Sequence, residues 1–218
     1  MEPYYYQTLS KAEQSSYQAM QAGLQAFAPS FPVPLLENRA LTDVFMKLRL
    51  DCPQLFYAGT FQYRYYPDSR NAELIPAYLF EKGKLKEHQK ALQSRVEKLV
   101  RPVARCSEEE KLLYIHDFIC KNVRYDKLKK QYSHEIIGVL GHGVGVCEGI
   151  AKAVKILCDA LQIQCIIALA ENNPEKGVKY RHAWNVVRLD KKYYHLDCTF
   201  DLSLGHPEEI RYDYFLLS

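Results

Sequence analysis

The segment at residues 145–151 reads GVCEGIA, and it decides the fold more than any other part of the chain. Its Cys147 lies where a glycine-rich loop meets a stretch with helical spacing at 150–161, and five of the ten glycines fall between 138 and 149. The first turn of a helix offers unpaired N–H groups and the positive end of the helix dipole, which together favour a thiolate. The segment therefore predicts a nucleophilic cysteine. The alternative is that Cys147 is a small buried apolar residue, as most free cysteines are.

Two strand-like segments downstream carry the partners that such a nucleophile needs. Residues 182–187 read HAWNVV and residues 195–201 read HLDCTFD, with a tight turn predicted at 190–191 between them. An antiparallel hairpin of this length lets His182 approach Asp197, although the pairing register stays open. A carboxylate beside an imidazole fixes its tautomer and stabilises its protonated form. The pattern predicts a Cys–His–Asp acyl-transfer site, and the alternatives are a core histidine and a turn or capping carboxylate.

These segments, taken in chain order, resemble the three motifs of the transglutaminase-like superfamily. The motifs lie at 145–151, 182–185 and 194–201, and they look most like those of its bacterial members. The specific resemblance covers about residues 107–203.

The resemblance implies a papain-like α+β core, in which a helix with the nucleophile at its N-terminus packs on an antiparallel sheet that carries the histidine and the aspartate. In the family pattern Cys147 is the nucleophile, His182 the general base and acid, and Asp197 the residue that orients the histidine. The implied reaction is acyl transfer through a thioester, on peptide or glutamine carboxamide bonds. Water and a second amine both stay open as acceptors. The alternative function is a non-catalytic module that binds peptides or proteins in the same cleft.

The motifs do not fix the side chain that assists the backbone in holding the oxyanion. Three side chains are candidates for that role or for substrate binding, namely Trp184, Tyr125 and His142. Two positions depart from the usual family pattern, with Ile150 in place of an aromatic residue and Phe200 in place of a tryptophan. Neither departure removes a catalytic group.

The composition excludes several classes of protein. The 218 residues are 48% hydrophobic and 25% charged, which is typical of a globular chain and unlike a disordered, collagen-like or membrane-spanning one. The net charge of +3 arises from 29 basic and 26 acidic residues without a like-charge block. We therefore expect no nucleic acid and no membrane as partner, and a protein or peptide as substrate. The oligomeric state stays open.

The cysteines and histidines indicate a reducing environment without a metal. Seven cysteines are scattered along the chain with no CxxC pair, which argues against a disulfide framework and a zinc ribbon. The first residues lack a basic region followed by an apolar stretch, so we expect no secretory signal and a cytoplasmic location. His195 and Asp197 have no third ligand at a recognisable spacing, so no metal is expected. No segment resembles a calcium-binding loop, and we expect no cofactor.

Elsewhere the sequence predicts helices first and strands last, the arrangement of an α+β protein. Capping boxes at Ser10 and Ser107 each begin a helix. Strand-like, tyrosine-rich runs begin at residue 55 and predict a small antiparallel meander. We expect an N-terminal helical and β-meander region at 1–82 and a transglutaminase-like catalytic core at 83–218, packed together as one compact unit.

Two charged features lie close to the predicted nucleophile. Lys127, Lys129 and Lys130 precede the glycine-rich loop, and we interpret them as a short solvated basic patch. Glu148 occupies the first turn of the predicted helix, where it favours the helix dipole but opposes a low pKa of the neighbouring thiol. We therefore expect Glu148 to face solvent.

Overall fold

A computed structural model describes residues 3–171, 181–204 and 209–218 of the chain. The chain divides into two compact units, one at 2–89 and one at 90–218. The sequence-based division at residue 82 and the packing as one unit stay predictions. In the described ranges, no helix is both long enough and apolar enough to cross a membrane.

Helices and largely antiparallel sheets both build the molecule, which confirms the predicted α+β class. The described α-helices are α1 (Tyr4–Gln7), α2 (Lys11–Gln25), α3 (Asn38–Asp51), α4 (Lys82–Val100), α5 (Glu108–Asn122), α6 (Cys147–Ala160) and α7 (Cys198–Leu204). The described strands are β1 (Phe31–Pro34), β2 (Ala58–Tyr65), β3 (Asn71–Tyr78), β4 (Arg124–Tyr125), β5 (Val144–Gly145), β6 (Cys165–Ala170), β7 (His182–Leu189) and β8 (Lys192–Leu196).

Both predicted capping boxes begin helices. At the start of α2, the Ser10 hydroxyl accepts the backbone N–H of Glu13, whose carboxylate accepts the N–H of Ser10 at 2.8 Å. Ser107 and Glu110 make the same reciprocal pair at the start of α5. Each box satisfies two N–H groups that the helix itself leaves unpaired.

The N-terminal unit contains an antiparallel sheet in the order β1-β3-β2. The sequence does not predict β1, because Pro32 and Pro34 indicate a break rather than a strand. An edge strand tolerates proline, since one row of its N–H groups has no partner in the sheet. The predicted start of the strand-like runs at residue 55 is wrong, because Pro53–Leu55 forms a 3-10 turn and β2 begins only at residue 58.

The C-terminal unit has α6 at its centre and an antiparallel sheet in the order β6-β7-β8. Ala153, Val154 and Leu157 form the buried apolar face of α6. The buried amide of Asn185 on β7 donates to the Ala151 carbonyl at 3.0 Å. This hydrogen bond joins the helix that carries the predicted nucleophile to the strand that carries the predicted histidine.

The predicted turn between β7 and β8 is present. Asp190 and Lys191 have positive φ values of 48° and 66°, the backbone that a two-residue hairpin of the I′ type needs at both positions.

The chain after β8 differs from the strand-like continuation to residue 201 that the sequence predicts. β8 ends at Leu196, and α7 begins two residues later. The Asp197 carboxylate accepts the N–H groups of Thr199 and Phe200 at 3.0 and 3.1 Å, so Asp197 caps this helix. Asp197 therefore reaches the site from a helix cap and not from a strand face.

Candidate active site

Cys147 is the first residue of α6, and the loop before it is held from two sides. The parallel pair of β4 with β5 sets Tyr125 opposite Gly145. The N–H of Val146 donates to the Ser133 carbonyl at 2.9 Å, and Val146 has the extended backbone of a residue that precedes a helix. These contacts fix the direction in which the chain enters the helix and presents the thiol.

Glycine is required where this loop packs most closely. A Cβ atom on Gly149 would lie 2.2 Å from the Ser133 carbonyl oxygen, and one on Gly138 would lie 2.4 Å from the Tyr132 carbonyl oxygen. Because both obstacles are backbone atoms, a side chain at either position would displace the loop. The richness of the segment in glycine therefore reflects close backbone approach around the cysteine.

The structure brings Cys147, His182 and Asp197 together at the start of α6. The His182 Nε2 atom lies 2.5 Å from the Asp197 Oδ2 atom. The Cys147 thiol is a hydrogen-bond partner of the His182 imidazole. Asp197 thus divides its two oxygens between the imidazole and the N–H groups of α7, which holds the carboxylate in one orientation.

The electrostatics of the site favour a thiolate beside an imidazolium. Burial alone would raise the pKa of the Cys147 thiol, but hydrogen bonds from His182 and from the backbone of Ala183 and Glu148 lower the pKa below its ordinary value. Burial acts to lower the pKa of His182, but its hydrogen bonds to Asp197 and Cys147 outweigh that effect and raise the pKa to about 9. Each charged partner stabilises the other.

Aromatic side chains flank the imidazole. The Phe200 ring stacks on His182 with ring centroids 4.4 Å apart, and the Trp184 ring stacks at 5.8 Å. The Trp184 indole N–H donates to the Nδ1 atom of His195 at 2.8 Å, so His195 acts as a partner of Trp184. Phe200, the position that departs from the family pattern, contacts the predicted histidine.

The three candidates for oxyanion or substrate contacts occupy different places. Tyr125 lies close enough to Cys147 that burial and the thiolate charge together raise the pKa of its phenol. Trp184 lies beside His182. His142 is exposed and packs against Tyr132, with ring centroids 5.1 Å apart. A ring contact joins Trp184 to His182, and the charge of Cys147 acts on Tyr125, whereas none of the described contacts joins His142 to the triad.

The structure has a charged cluster next to Cys147 that the sequence does not predict. The Lys152 ammonium is completely buried and lies 2.7 Å from a Glu148 oxygen and 3.0 Å from the buried carboxylate of Glu135. The other Glu148 oxygen lies 3.3 Å from the His134 Nδ1 atom. Glu148 faces solvent only in part, because its side chain is 30% exposed and its carboxylate is bound on both sides. The spacing of Glu148 and Lys152, four residues apart on one helix, was the signal for this pair.

Three other thiols have raised pKa values, in contrast to Cys147. Burial raises the pKa of Cys120 to about 12 and that of Cys198 well above its ordinary value. A hydrogen bond to Cys165, together with burial, raises the pKa of Cys158. Within the described ranges, no three His, Cys, Asp or Glu side chains are grouped as metal ligands would be.

Residues 96–198 match the family model of the transglutaminase-like superfamily. The resemblance that the sequence motifs predict is confirmed over this range.

Three solved structures are similar to the chain at low sequence identity. A TGase is 12% identical with a TM-score of 0.45, over 72% of this chain and 48% of that one. A candidate cysteine protease from Cytophaga hutchinsonii is 15% identical with a TM-score of 0.40, over 64% of this chain and 61% of that one. A candidate protease from Parabacteroides distasonis is 14% identical with a TM-score of 0.38, over 64% and 36%. The chain thus spans less than two thirds of each of these proteins. No curated protein is significantly similar to it in sequence.

Proposed function

We propose that the chain is a thiol-dependent acyltransferase or peptidase that uses Cys147, His182 and Asp197. The observation that carries the proposal is the hydrogen-bonded series from the thiol through the imidazole to the carboxylate, with the thiol at a helix N-terminus. The match of residues 96–198 to a superfamily with transglutaminases supports the same reading. A nucleophile, a base and an orienting group in this order are what covalent acyl transfer requires.

In the first half of the reaction, the Cys147 thiolate attacks the carbonyl carbon of a peptide or glutamine carboxamide and forms a C–S bond. Backbone N–H groups in the first turn of α6 bind the oxygen that becomes negatively charged. The His182 imidazolium then gives its proton to the nitrogen of the leaving amine, and the C–N bond breaks. A thioester on Cys147 remains, and His182 is neutral.

In the second half, neutral His182 takes a proton from water or from a second amine, which attacks the thioester carbonyl. A new C–O or C–N bond forms, the C–S bond breaks, and the thiolate–imidazolium pair is restored. Exclusion of water favours the amine as acceptor. The Phe200 and Trp184 rings are the apolar groups that contact the imidazole.

The proposed substrate is a protein or peptide, and the proposed location is a reducing compartment such as the cytoplasm. All seven cysteines are free thiols, which suits a reducing environment. The alternative is a non-catalytic module that holds peptides against the same residues.

The pH dependence of iodoacetamide alkylation, followed at each cysteine by mass spectrometry, tests the proposal. We expect Cys147 to react fastest at neutral pH, because its pKa is lowered whereas burial raises those of Cys120 and Cys198. In His182→Ala, the inflection for Cys147 moves up toward the ordinary ~8.5 of a free thiol. Turnover falls as the pH rises through about 9, since His182 then lacks the proton for the leaving amine.

The other cysteines serve as internal controls in the same sample. If Cys147 reacts no faster than Cys106, which is only partly buried, the acyl-transfer proposal fails and the binding module takes its place.

A further inference from the structure

The turn at 126–130, which reads DKLKK, is organised by a single carboxylate. Asp126 accepts the backbone N–H groups of Leu128 and Lys130 at 3.0 and 2.9 Å and the hydroxyl of Ser133 at 2.6 Å. These hydrogen bonds lower the pKa of Asp126, so the carboxylate stays charged at neutral pH. Lys129 has a positive φ of 50°, which turns the chain back sharply.

This turn presents an apolar side chain between cations. Leu128 is 78% exposed, the largest value among the bulky apolar side chains of the described residues. Lys127, Lys129 and Lys130 are exposed around it. Lys130 lies over the Tyr132 ring, whereas Lys127 and Lys129 have no acidic partner in the part of the chain that the structure describes. An exposed leucine between two such cations is complementary to an acidic, apolar surface.

The turn is joined to the segment that presents the nucleophile. The Asp126 N–H donates to the Gly145 carbonyl at 3.0 Å, and the Ser133 carbonyl accepts the N–H of Val146. Gly145 and Val146 are the two residues before Cys147. The turn is therefore held by backbone hydrogen bonds against the segment that precedes the thiol.

We propose that Leu128, Lys127 and Lys129 form a docking site for an acidic, apolar segment of the protein substrate. The segment carries a leucine-like side chain that packs on Leu128 and carboxylates that pair with the two lysines. The proposal rests on the proposed function, since it assigns a substrate class to the Cys147 site. An anionic lipid surface fits less well, because membrane-binding clusters have about 4–8 basic residues.

The test measures binding by fluorescence anisotropy with two short labelled peptides, one with glutamates on both sides of a leucine and the other with lysines. We expect the full-length protein to bind the acidic peptide about fivefold more tightly at low salt, the size expected of two exposed ion pairs. The preference disappears in Lys127→Glu/Lys129→Glu and falls as salt screens the charges. Leu128→Ser weakens binding of both peptides.

A matched control removes the same charge far from the site. Lys191→Glu/Lys192→Glu changes the hairpin turn at the opposite end of β7 from His182, about 23 Å along the strand at about 3.3 Å per residue. This variant keeps the preference for the acidic peptide. Loss of the preference in the control as well would show that only net charge matters and would overturn the proposal.

Two further outcomes overturn the docking site. One is equal binding of the two peptides by the unmodified protein. The other is sedimentation with phosphatidylserine-containing vesicles that is lost in Lys127→Glu/Lys129→Glu, without any peptide preference. Anisotropy does not depend on thiol chemistry, and iodoacetamide labelling of Cys147 is followed in parallel. Failure of selective labelling therefore counts against the acyl-transfer proposal, and failure of the anisotropy preference counts against the docking site.

Discussion

Glu148 follows the proposed nucleophile directly, and a carboxylate that is free to turn toward a thiol raises the pKa of that thiol. Lys152 and His134 hold the two Glu148 oxygens instead. We infer that the buried Lys152 acts on Cys147 indirectly, because it holds this carboxylate next to its own charge.

We predict that Lys152→Gln raises the pH at which Cys147 is alkylated by about one pH unit, because a Glu148 carboxylate without the Lys152 cation opposes the thiolate. Adding Glu148→Gln to Lys152→Gln returns the inflection to that of the unmodified protein. The measurement is the pH profile of iodoacetamide labelling, with circular dichroism to verify that each variant is folded.

Lys155→Gln is the matched control for this pair. Lys155 lies one turn further along α6 and pairs with Asp159, so its loss removes the same charge without releasing Glu148. An upward shift in Lys155→Gln, or no return in the double variant, would contradict the role of Lys152.

Elements of this chain are predictable from sequence where a local contact decides them. Ser10 and Ser107 fix the starts of two helices through side chains only three residues away. The segment 195–201 alternates like a strand, but the Asp197 side chain can cap a helix as well as extend a strand, and the hydrogen bonds to residues 199 and 200 favour the cap. The sequence thus identifies Asp197 correctly as a neighbour of His182 and assigns it to the wrong element.

A second prediction about the elements concerns the first turn of α6. Gly149→Ala places a methyl group against the Ser133 carbonyl, so the loop must move and the thiol loses its alignment with His182. We expect alkylation of Cys147 at neutral pH to fall about tenfold, to the rate expected if its pKa rises by about one unit.

Gly83→Ala in α4 is the control, because nothing lies within 4 Å of a Cβ at that position. Alanine favours a helix over glycine by about 1 kcal/mol, so this variant keeps its labelling rate and loses no stability. Equal labelling of the two variants would show that close approach at Gly149 does not position the thiol.

At the scale of the whole molecule, the order of the motifs predicts which residues meet, because a nucleophile needs a base and an orienting group wherever they lie in the chain. Sequence spacing does not predict how the chain divides. The division near residue 89 falls inside α4, and a helix has no composition break at such a point. The same limit applies to Lys152, whose burial depends on Glu135 in a separate loop.

The two units predict separate unfolding transitions, and the chain has a suitable reporter for one of them. Trp184 is the only tryptophan and lies in the unit at 90–218, whereas far-ultraviolet circular dichroism reports the helices of both units. Leu24 lies in the core of the N-terminal unit. We expect Leu24→Ala to lower the free energy of unfolding in urea that circular dichroism reports by about 2–5 kcal/mol, and to leave the midpoint of the Trp184 fluorescence transition unchanged. Leu157→Ala, on the buried face of α6, moves the fluorescence midpoint by a comparable free energy. If the two transitions coincide and shift together in both variants, the chain unfolds as one cooperative unit. That outcome would agree with the sequence-based expectation of a single compact unit.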